Sequence, residues 1–343
     1  MTDPITIGGT AVFPGERANI DIPVARRYTQ ASVTLPVKVV RGAKPGPVLL
    51  VSAAIHGDEL NGIEIIARVL KRKALDRIRG TLIAVPVVNV LGFLQHNRYL
   101  PDRRDLNRFF PGSSKGSLTA RLAHTFMEEL VGKATHVVDL HTGSNHRANL
   151  PQIRACLDDA ETTRLAHAFG APIIIDANLK DGSLRQAVLE RGIPMLLYES
   201  GEALRFDELG IQGGVRGIIS VMRAIDMLPK AKEEHPRTVA PLIAHSTRRL
   251  RAPESGIFHT STRLGARVDR GQLFAHISDP LREKELEITT PYSGIVIGRT
   301  NLPLVNEGDT MFHIATFQRL SEAAESVEAF ADQLQASDFG PWG

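Results

Sequence analysis

The sequence predicts an α/β fold, a buried sheet covered by helices on both faces, followed by a smaller all-β region. Three observations predict it. From about residue 32 to 235, short runs rich in valine and isoleucine alternate with helical patterns, the signature of strands packed between helices. A polar stretch, 231–241, then reads as a linker, and beyond it come short β-like runs with glycine turns. Within that second region one unit recurs: "PESGIFHTSTRLGARVDRGQLFAHI" (253–277) lines up with "PYSGIVIGRTNLPLVNEGDTMFHI" (291–314). Two similar β units predict a small, roughly two-fold sandwich or barrel.

Residues 1–31 are expected to form an N-terminal β segment. "SVTLPVKVV" (32–40), "PVLLVSAAI" (47–55) and "GTLIAVPVV" (80–88) follow as buried strands, short and β-branched, several bounded by Gly or Pro. Between the last two, "ELNGIEIIARVLKRKAL" sets apolar residues at 60, 63, 66, 69 and 70 opposite a basic side, one face of a helix whose first turn would hold Glu59. "SLTARLAHTFMEELV" (117–131) reads as another helix, with Ser117 as its N-cap. "ATHVVDL" (134–140), "APIIID" (171–176) and "IPMLLYES" (193–200) complete the buried strands. The α/β region is thus expected over 1–235, the β region over 240–318, and a helical tail over 319–343.

Composition narrows the function. At 343 residues the chain can bury a substantial core, and 43% hydrophobic with 23% charged residues is ordinary for a globular protein. The net charge of +3 is small and the basic residues form no long block, which argues against a nucleic-acid partner. Cys156 is the single cysteine, so neither an intramolecular disulfide nor a cysteine zinc cage is possible. The start, "MTDPITIGGT", has no secretory pattern, and no run approaches the ~20 apolar residues of a membrane helix. A cytoplasmic protein without a membrane partner is expected, with homo-oligomerisation left open.

Chemistry concentrates at strand ends. "AAIHGDELNG" (53–62) breaks off an apolar run with His56, Gly57, Asp58 and Glu59. Alone this is an acidic helix start as readily as a metal grip. "THVVDLHTG" ends a second buried strand at His141, and open α/β sheets bind ligands outside the carboxyl ends of their strands. Two strand-end histidines and a nearby glutamate offer the imidazole and carboxylate donors of a catalytic zinc site. "IPMLLYESGE" puts Glu199 at the end of a third strand, where an acid is costly unless solvated in a cleft or paired; Glu202 is the competing acid and is expected in the following loop. "NRYLPDRRDLNRFFPG" supplies Arg98, Arg103, Arg104, Asp105, Asn107 and Arg108. Arg103 and Arg104 suit a solvated loop, whereas Leu106, Phe109 and Phe110 would tuck Asn107 and Arg108 against the protein, and an arginine fork suits a carboxylate.

In this order, "HGDE", "DLNRFFPG", "DLHTG" and "YESGE" resemble the succinylglutamate desuccinylase/aspartoacylase family, zinc enzymes related to the metallocarboxypeptidases. The resemblance extends over roughly residues 30 to 315. It implies a zinc-carboxypeptidase-like mixed sheet and one zinc per chain held by His56, Glu59 and His141. It further implies that Glu199 activates the attacking water and protonates the leaving amine, and that Arg98 polarises the scissile carbonyl. Asn107 and Arg108 match the pair that holds the substrate carboxylate. The activity implied is cleavage of a small N-acyl amino acid to a carboxylate and a free amine. Peptide carboxypeptidase activity and a non-catalytic binding role are the alternatives. No counterpart of the family's C-terminal substrate tyrosine is found, so the acyl group stays open. The β repeat is similar to biotinyl and lipoyl carriers, but Lys284 in "LREKELEITTP" lacks their flanking residues, and an unmodified β region shaping the mouth of the site is expected.

Overall fold

Four parallel strands lie side by side at the centre of a computed structural model that describes residues 3–26, 28–230, 241–244 and 246–336. In spatial order they are Arg79–Val85, Lys44–Ala53, His136–Gly143 and Met195–Glu202. Antiparallel strands flank them: Ser32–Arg41 and then Arg17–Arg26 on one side, Arg147–Ala155 on the other. Ile173–Asp176 runs parallel to Arg147–Ala155. Strands with both faces covered must be apolar on both faces, which is why these segments read as continuous greasy runs. Leu49, Val51 and Ala53 pack with the helices Asn61–Leu70, Ala160–Phe169 and Glu208–Ala224. Leu50, on the opposite face, packs with Leu118–Glu129 and Leu184–Leu189. Ser117 caps Leu118–Glu129, its hydroxyl accepting from Ala120 N at 3.3 Å.

The helix after the "HGDE" loop differs from its expected face. Its buried stripe is Gly62, Ile65, Ile66 and Val69, with Asn61. The shift arises because Gly62 lets the helix sit directly on two strands: a Cβ there would lie 2.6 Å from Ala53 Cβ and 2.8 Å from Leu140 Cβ. No real pair of carbons approaches so closely, so a glycine is required.

Residues 231–240, most of the expected linker, lie outside the described residues. The region beyond is antiparallel, and its two sequence copies have matching elements: Gly256–His259, Arg267–Val268 and Leu273–Ser278, then Gly294–Thr300, Leu304–Val305 and Thr310–Thr316. Each copy lends its short strand to the other, Arg267 pairing with Ile295 and Leu304 with Ile257. The region also joins the main sheet. Ile173–Asp176 pairs only with the 152–155 half of Arg147–Ala155, and Gly294–Thr300 takes the other half through Gly298 opposite Asn149. Leu242–Ala244 adds in parallel to Ile173–Asp176. An otherwise open strand edge is thereby paired, and Leu150, Ile173, Ile295, Ile297 and Ala323 share one core. Lys284 stands in an exposed turn whose backbone N–H groups donate to Asp279. The helix Leu320–Ala336 packs on Glu208–Ala224. Among the described residues no helix is long and apolar enough to cross a membrane.

Gly62→Ala tests the close approach. Alanine is favoured in a helix by ~1 kcal/mol, yet overpacking here should destabilise by ~1–3 kcal/mol, read as a lower denaturation midpoint. A midpoint equal to or above that of the parent would contradict the packing described.

Candidate metal centre

The chain leaves Lys44–Ala53 through Ala54, whose φ of 50° is unusual for a residue with a side chain. Val88 N and Asn89 N donate to the carbonyls of Ala53 and Ala54 at 3.0 and 2.9 Å and fix this corner. Gly57 follows, pressed on the helix Val90–Leu94: a Cβ would lie 2.1 Å from Gly92 C and Phe93 N. The glycine of "HGDE" is therefore set by a backbone contact. Glu59 does not sit in the first helical turn as expected; it lies two residues ahead of Asn61–Leu70, in a turn closed by Glu59 N donating to His56 O at 3.1 Å.

His56, Glu59 and His141 are buried at 3%, 2% and 5% exposure. The Glu59 carboxylate lies between the two rings, Oε1 at 2.7 Å from His56 Nδ1 and Oε2 at 2.8 Å from His141 Nδ1. The far ring nitrogens each meet an aspartate: His56 Nε2 is 3.1 Å from Asp105 Oδ1, and His141 Nε2 is 2.7 Å from Asp139 Oδ2. Asp139 is anchored in turn by Ser52 Oγ, which donates at 2.7 Å. Arg98 reaches Glu59 Oε1 at 3.3 Å and Asp105 Oδ2 at 3.1 Å. Three potential ligand atoms thus lie within 4.8 Å of one another. A tetrahedral ion with ~2.1 Å bonds wants its ligand atoms ~3.4 Å apart, so a slight opening of the cluster admits a metal at the Nδ1 faces.

Charge explains the tight closure. Burial alone would raise Glu59, but His56 and His141 outweigh it and hold the carboxyl well below the usual range. Burial likewise pulls His141 down, yet Asp139 and Glu59 lift it well above an ordinary imidazole, and Glu59 and Asp105 lift His56. Each ring nitrogen faces a carboxylate oxygen, and a metal bound at the Nδ1 faces would require those two nitrogens to be free of protons.

The parallel register puts Glu199 beside His141 on the neighbouring strand. Its Oε2 accepts from Asn149 Nδ2 at 2.7 Å and Gln152 Nε2 at 3.4 Å, and pairs with Arg154 Nε at 3.2 Å. Glu202 is not in a loop: it ends the strand Met195–Glu202 and accepts from Asn301 Nδ2 at 2.7 Å. Asn107 Oδ1 accepts from Leu184 N at 2.8 Å, and Arg108 donates to the carbonyl of Asn107. One cavity of about 920 Å³ is lined by His56, Glu59, Arg98, Asn107, Arg108, His141 and Glu199 together. The sequence had drawn these residues from four separate segments.

The model of the succinylglutamate desuccinylase/aspartoacylase catalytic domain matches residues 45–225, more than half of the chain. The chain belongs to this family. Among its relatives, the N-alpha-acetyl-L-2,4-diaminobutyric acid deacetylase of Halomonas elongata is 29% identical over 335 residues, spanning 91% of this chain and 95% of that protein. A succinylglutamate desuccinylase/aspartoacylase structure from Rhodobacter sphaeroides is 27% identical with a TM-score of 0.77, covering 88% of this chain and 95% of the other. The product-bound ectoine utilization protein EutE (DoeB) of Ruegeria pomeroyi shares the fold, with a TM-score of 0.79, 24% identity and coverage of 92% and 100%.

In this family member several site residues escape sequence reasoning. Asp139 is two places before His141, on the same face of a strand, so the "DLH" spacing could have revealed it. Asn149, Gln152 and Arg154 lie on a strand, "RANLPQIRA", with no clean apolar run. Tyr292 also lines the cavity, with Arg248 over its ring at 5.9 Å.

Asp139→Asn should keep the size of the group but lose the charge that orients His141. Metal affinity should fall ~10–100-fold, measured by competition with a chromophoric chelator. An unchanged affinity would remove Asp139 from any orienting role.

Proposed function

We propose that the chain is a zinc-dependent amidohydrolase that cleaves a small N-acyl amino acid into a carboxylate and a free amine. The observation that carries the reading is the buried His56–Glu59–His141 cluster with Glu199 in register beside it, in one cavity with Arg98, Asn107 and Arg108. Two imidazoles and a carboxylate form the donor set of hydrolytic zinc sites, and the aspartates behind both rings fit the outer shell such sites use. Membership of the family and likeness to a deacetylase support the same chemistry. When bound there, zinc supplies a Lewis acid that acidifies water and polarises a carbonyl.

The chain's own residues do the rest. Glu199, held at Oε2 by Asn149, Gln152 and Arg154, takes the proton of the attacking water and passes it to the leaving nitrogen. The water oxygen joins the acyl carbon, the carbonyl oxygen takes up the π electrons, and the C–N bond then breaks as the carbonyl re-forms and the nitrogen accepts the proton. Arg98, fixed between Glu59 and Asp105, stabilises the negative charge that develops on the carbonyl oxygen. Arg108 offers its guanidinium to the substrate carboxylate, and Asn107 fixes that arginine's loop on Leu184–Leu189. A cytoplasmic setting, as expected from the sequence, suits such a small-molecule enzyme.

Protein purified without added metal should contain one zinc per chain, and His141→Ala should lose it. Elemental analysis decides this; equal zinc in the variant would place the metal elsewhere. Glu199→Gln should retain zinc while turnover of N-acyl amino acids falls by ~10²–10⁴-fold. Arg108→Ala should act chiefly on KM, by roughly 30-fold for about 2 kcal/mol at a partly solvated charge pair. Near-normal turnover in Glu199→Gln would move the base to another group, and an unchanged KM in Arg108→Ala would release that residue from substrate binding.

A further inference from the structure

Glu199 stands on a strand and Glu59 in a turn beyond one, so sheet register alone does not fix the distance between them. The strand Met195–Glu202 is also irregular just where it carries the acid. On its parallel side the register runs from Glu199 opposite His141 to Glu202 opposite Gly143, three steps against two. On its antiparallel side it runs from Glu199 opposite Gln152 to Gly201 opposite Asn149, two steps against three. Ser200 has no register partner on either side, and Gly201 follows with a φ of 72°. Bulges of this kind re-aim a neighbouring side chain, and the backbone groups they release need partners elsewhere.

Asn61 provides one. It is 1% exposed and opens the helix Asn61–Leu70, two residues after Glu59. Its Nδ2 donates to the Ser200 carbonyl at 3.0 Å, and its Oδ1 accepts from Asp207 N at 3.0 Å. Asp207 is the N-cap of Glu208–Ala224, where an aspartate usually accepts from its own helix. No N–H of that helix meets its side chain; its Oδ2 accepts instead from Ser200 Oγ at 2.9 Å. The space between is closed, because a Cβ on Gly201 would lie 2.5 Å from Asn61 Nδ2 and 2.7 Å from Asp207 Cβ. The same segment also holds the chain just before Glu59: Leu204, at a φ of 58°, donates its N–H to Asp58 O at 2.8 Å. Residues 200–207 thus clasp the Glu59 turn from both sides. A buried hydrogen-bonded network sets lengths and directions that apolar packing leaves loose.

We propose that Asn61 is a positioning residue for the hydrolysis. From the helix that follows Glu59 it binds the residue that follows Glu199, and so fixes the acid relative to the metal centre. The inference rests on the amidohydrolase reading and adds to it the device that sets the acid. Asn149, Gln152 and Arg154 hold the Glu199 carboxylate from the neighbouring strand, whereas Asn61 holds the backbone beneath it. A misplacement of ~1 Å between reacting groups can cost ~100-fold in rate.

The test is a double-mutant cycle on zinc-loaded protein, with Asn61→Ala and Glu199→Gln made singly and together, on an N-acetyl amino acid that the parent hydrolyses. Asn61→Ala alone should lower kcat by ~10–100-fold, with KM nearly unchanged and zinc still at the parent's level. In the Glu199→Gln background the same substitution should cost less than ~2-fold, because its effect passes through an acid already removed. An unchanged kcat, an equal loss in both backgrounds, or loss of zinc would overturn the role. Should Asn61→Ala not fold, Asn61→Ser, whose hydroxyl suits a helix start, takes its place in the cycle. If the parent hydrolyses no N-acyl amino acid, the hydrolase reading fails, and the crystal structure of the Asn61 variant judges the positioning alone. A Glu199 carboxylate displaced by more than ~0.5 Å relative to His141, with the sheet in place, supports it; an unmoved carboxylate overturns it.

Discussion

The site depends on one buried carboxylate. Glu59 is almost fully removed from solvent, and an ionised acid in that position is tolerable only when its oxygens are fully satisfied. His56, His141, Arg98 and the backbone N–H of Thr142 supply the partners. Behind the rings, Asp105 and Asp139 extend the arrangement into a chain of alternating acids and imidazoles. Its members come from loops, the end of the strand His136–Gly143 and the cap of the 3₁₀ turn Leu106–Arg108, so the chain closes only where the sheet brings these segments together. Gly57 and Gly62 serve that closure. One lets the "HGDE" loop lie against Val90–Leu94, and the other lets the following helix settle on Ala53 and Leu140.

Strand Arg147–Ala155 connects this centre to the rest of the cavity. Asn149, Gln152 and Arg154 on that strand hold one oxygen of Glu199, which the parallel register sets next to His141. The outer half of the same strand pairs with Gly294–Thr300, so the C-terminal β region docks through the element that orients the acid. Arg249 and His313 reach the cavity as a consequence of that docking. The strand that holds Glu199 and the strand that docks the C-terminal β region are therefore the same element.

Much of this was legible in the sequence, for a physical reason. Parallel strands covered on both faces must be apolar throughout, so "PVLLVSAAI", "ATHVVDL" and "IPMLLYES" stand out, and the charged residues that end them stand out further. Other parts were hidden. "RANLPQIRA" faces the cavity with polar side chains and lacks the period of a strand in a core. Glu208–Ala224 carries four glycines that weaken its helical pattern, yet Gly214 and Gly217 are where Ile65 and Phe169 press against it. Glu59 fell outside its helix because the turn that aims it is set by contacts with Gly92 and Phe93, distant in the sequence. Lys180, Arg185 and Arg249 share no local pattern, and only the assembled sheet brings them to one cavity.

In the proposed function a metal ion is gripped at the two Nδ1 atoms, with Glu59 between them. Zinc anomalous diffraction from crystals of the full chain tests it most directly. The expected result is a single strong peak ~2.0–2.2 Å from His56 Nδ1, a Glu59 carboxylate oxygen and His141 Nδ1, with Asp105 and Asp139 still on the Nε2 atoms. A peak ligated through Nε2, or one centred on Glu199 or Glu202 with the His56–Glu59–His141 cluster left closed, would contradict it.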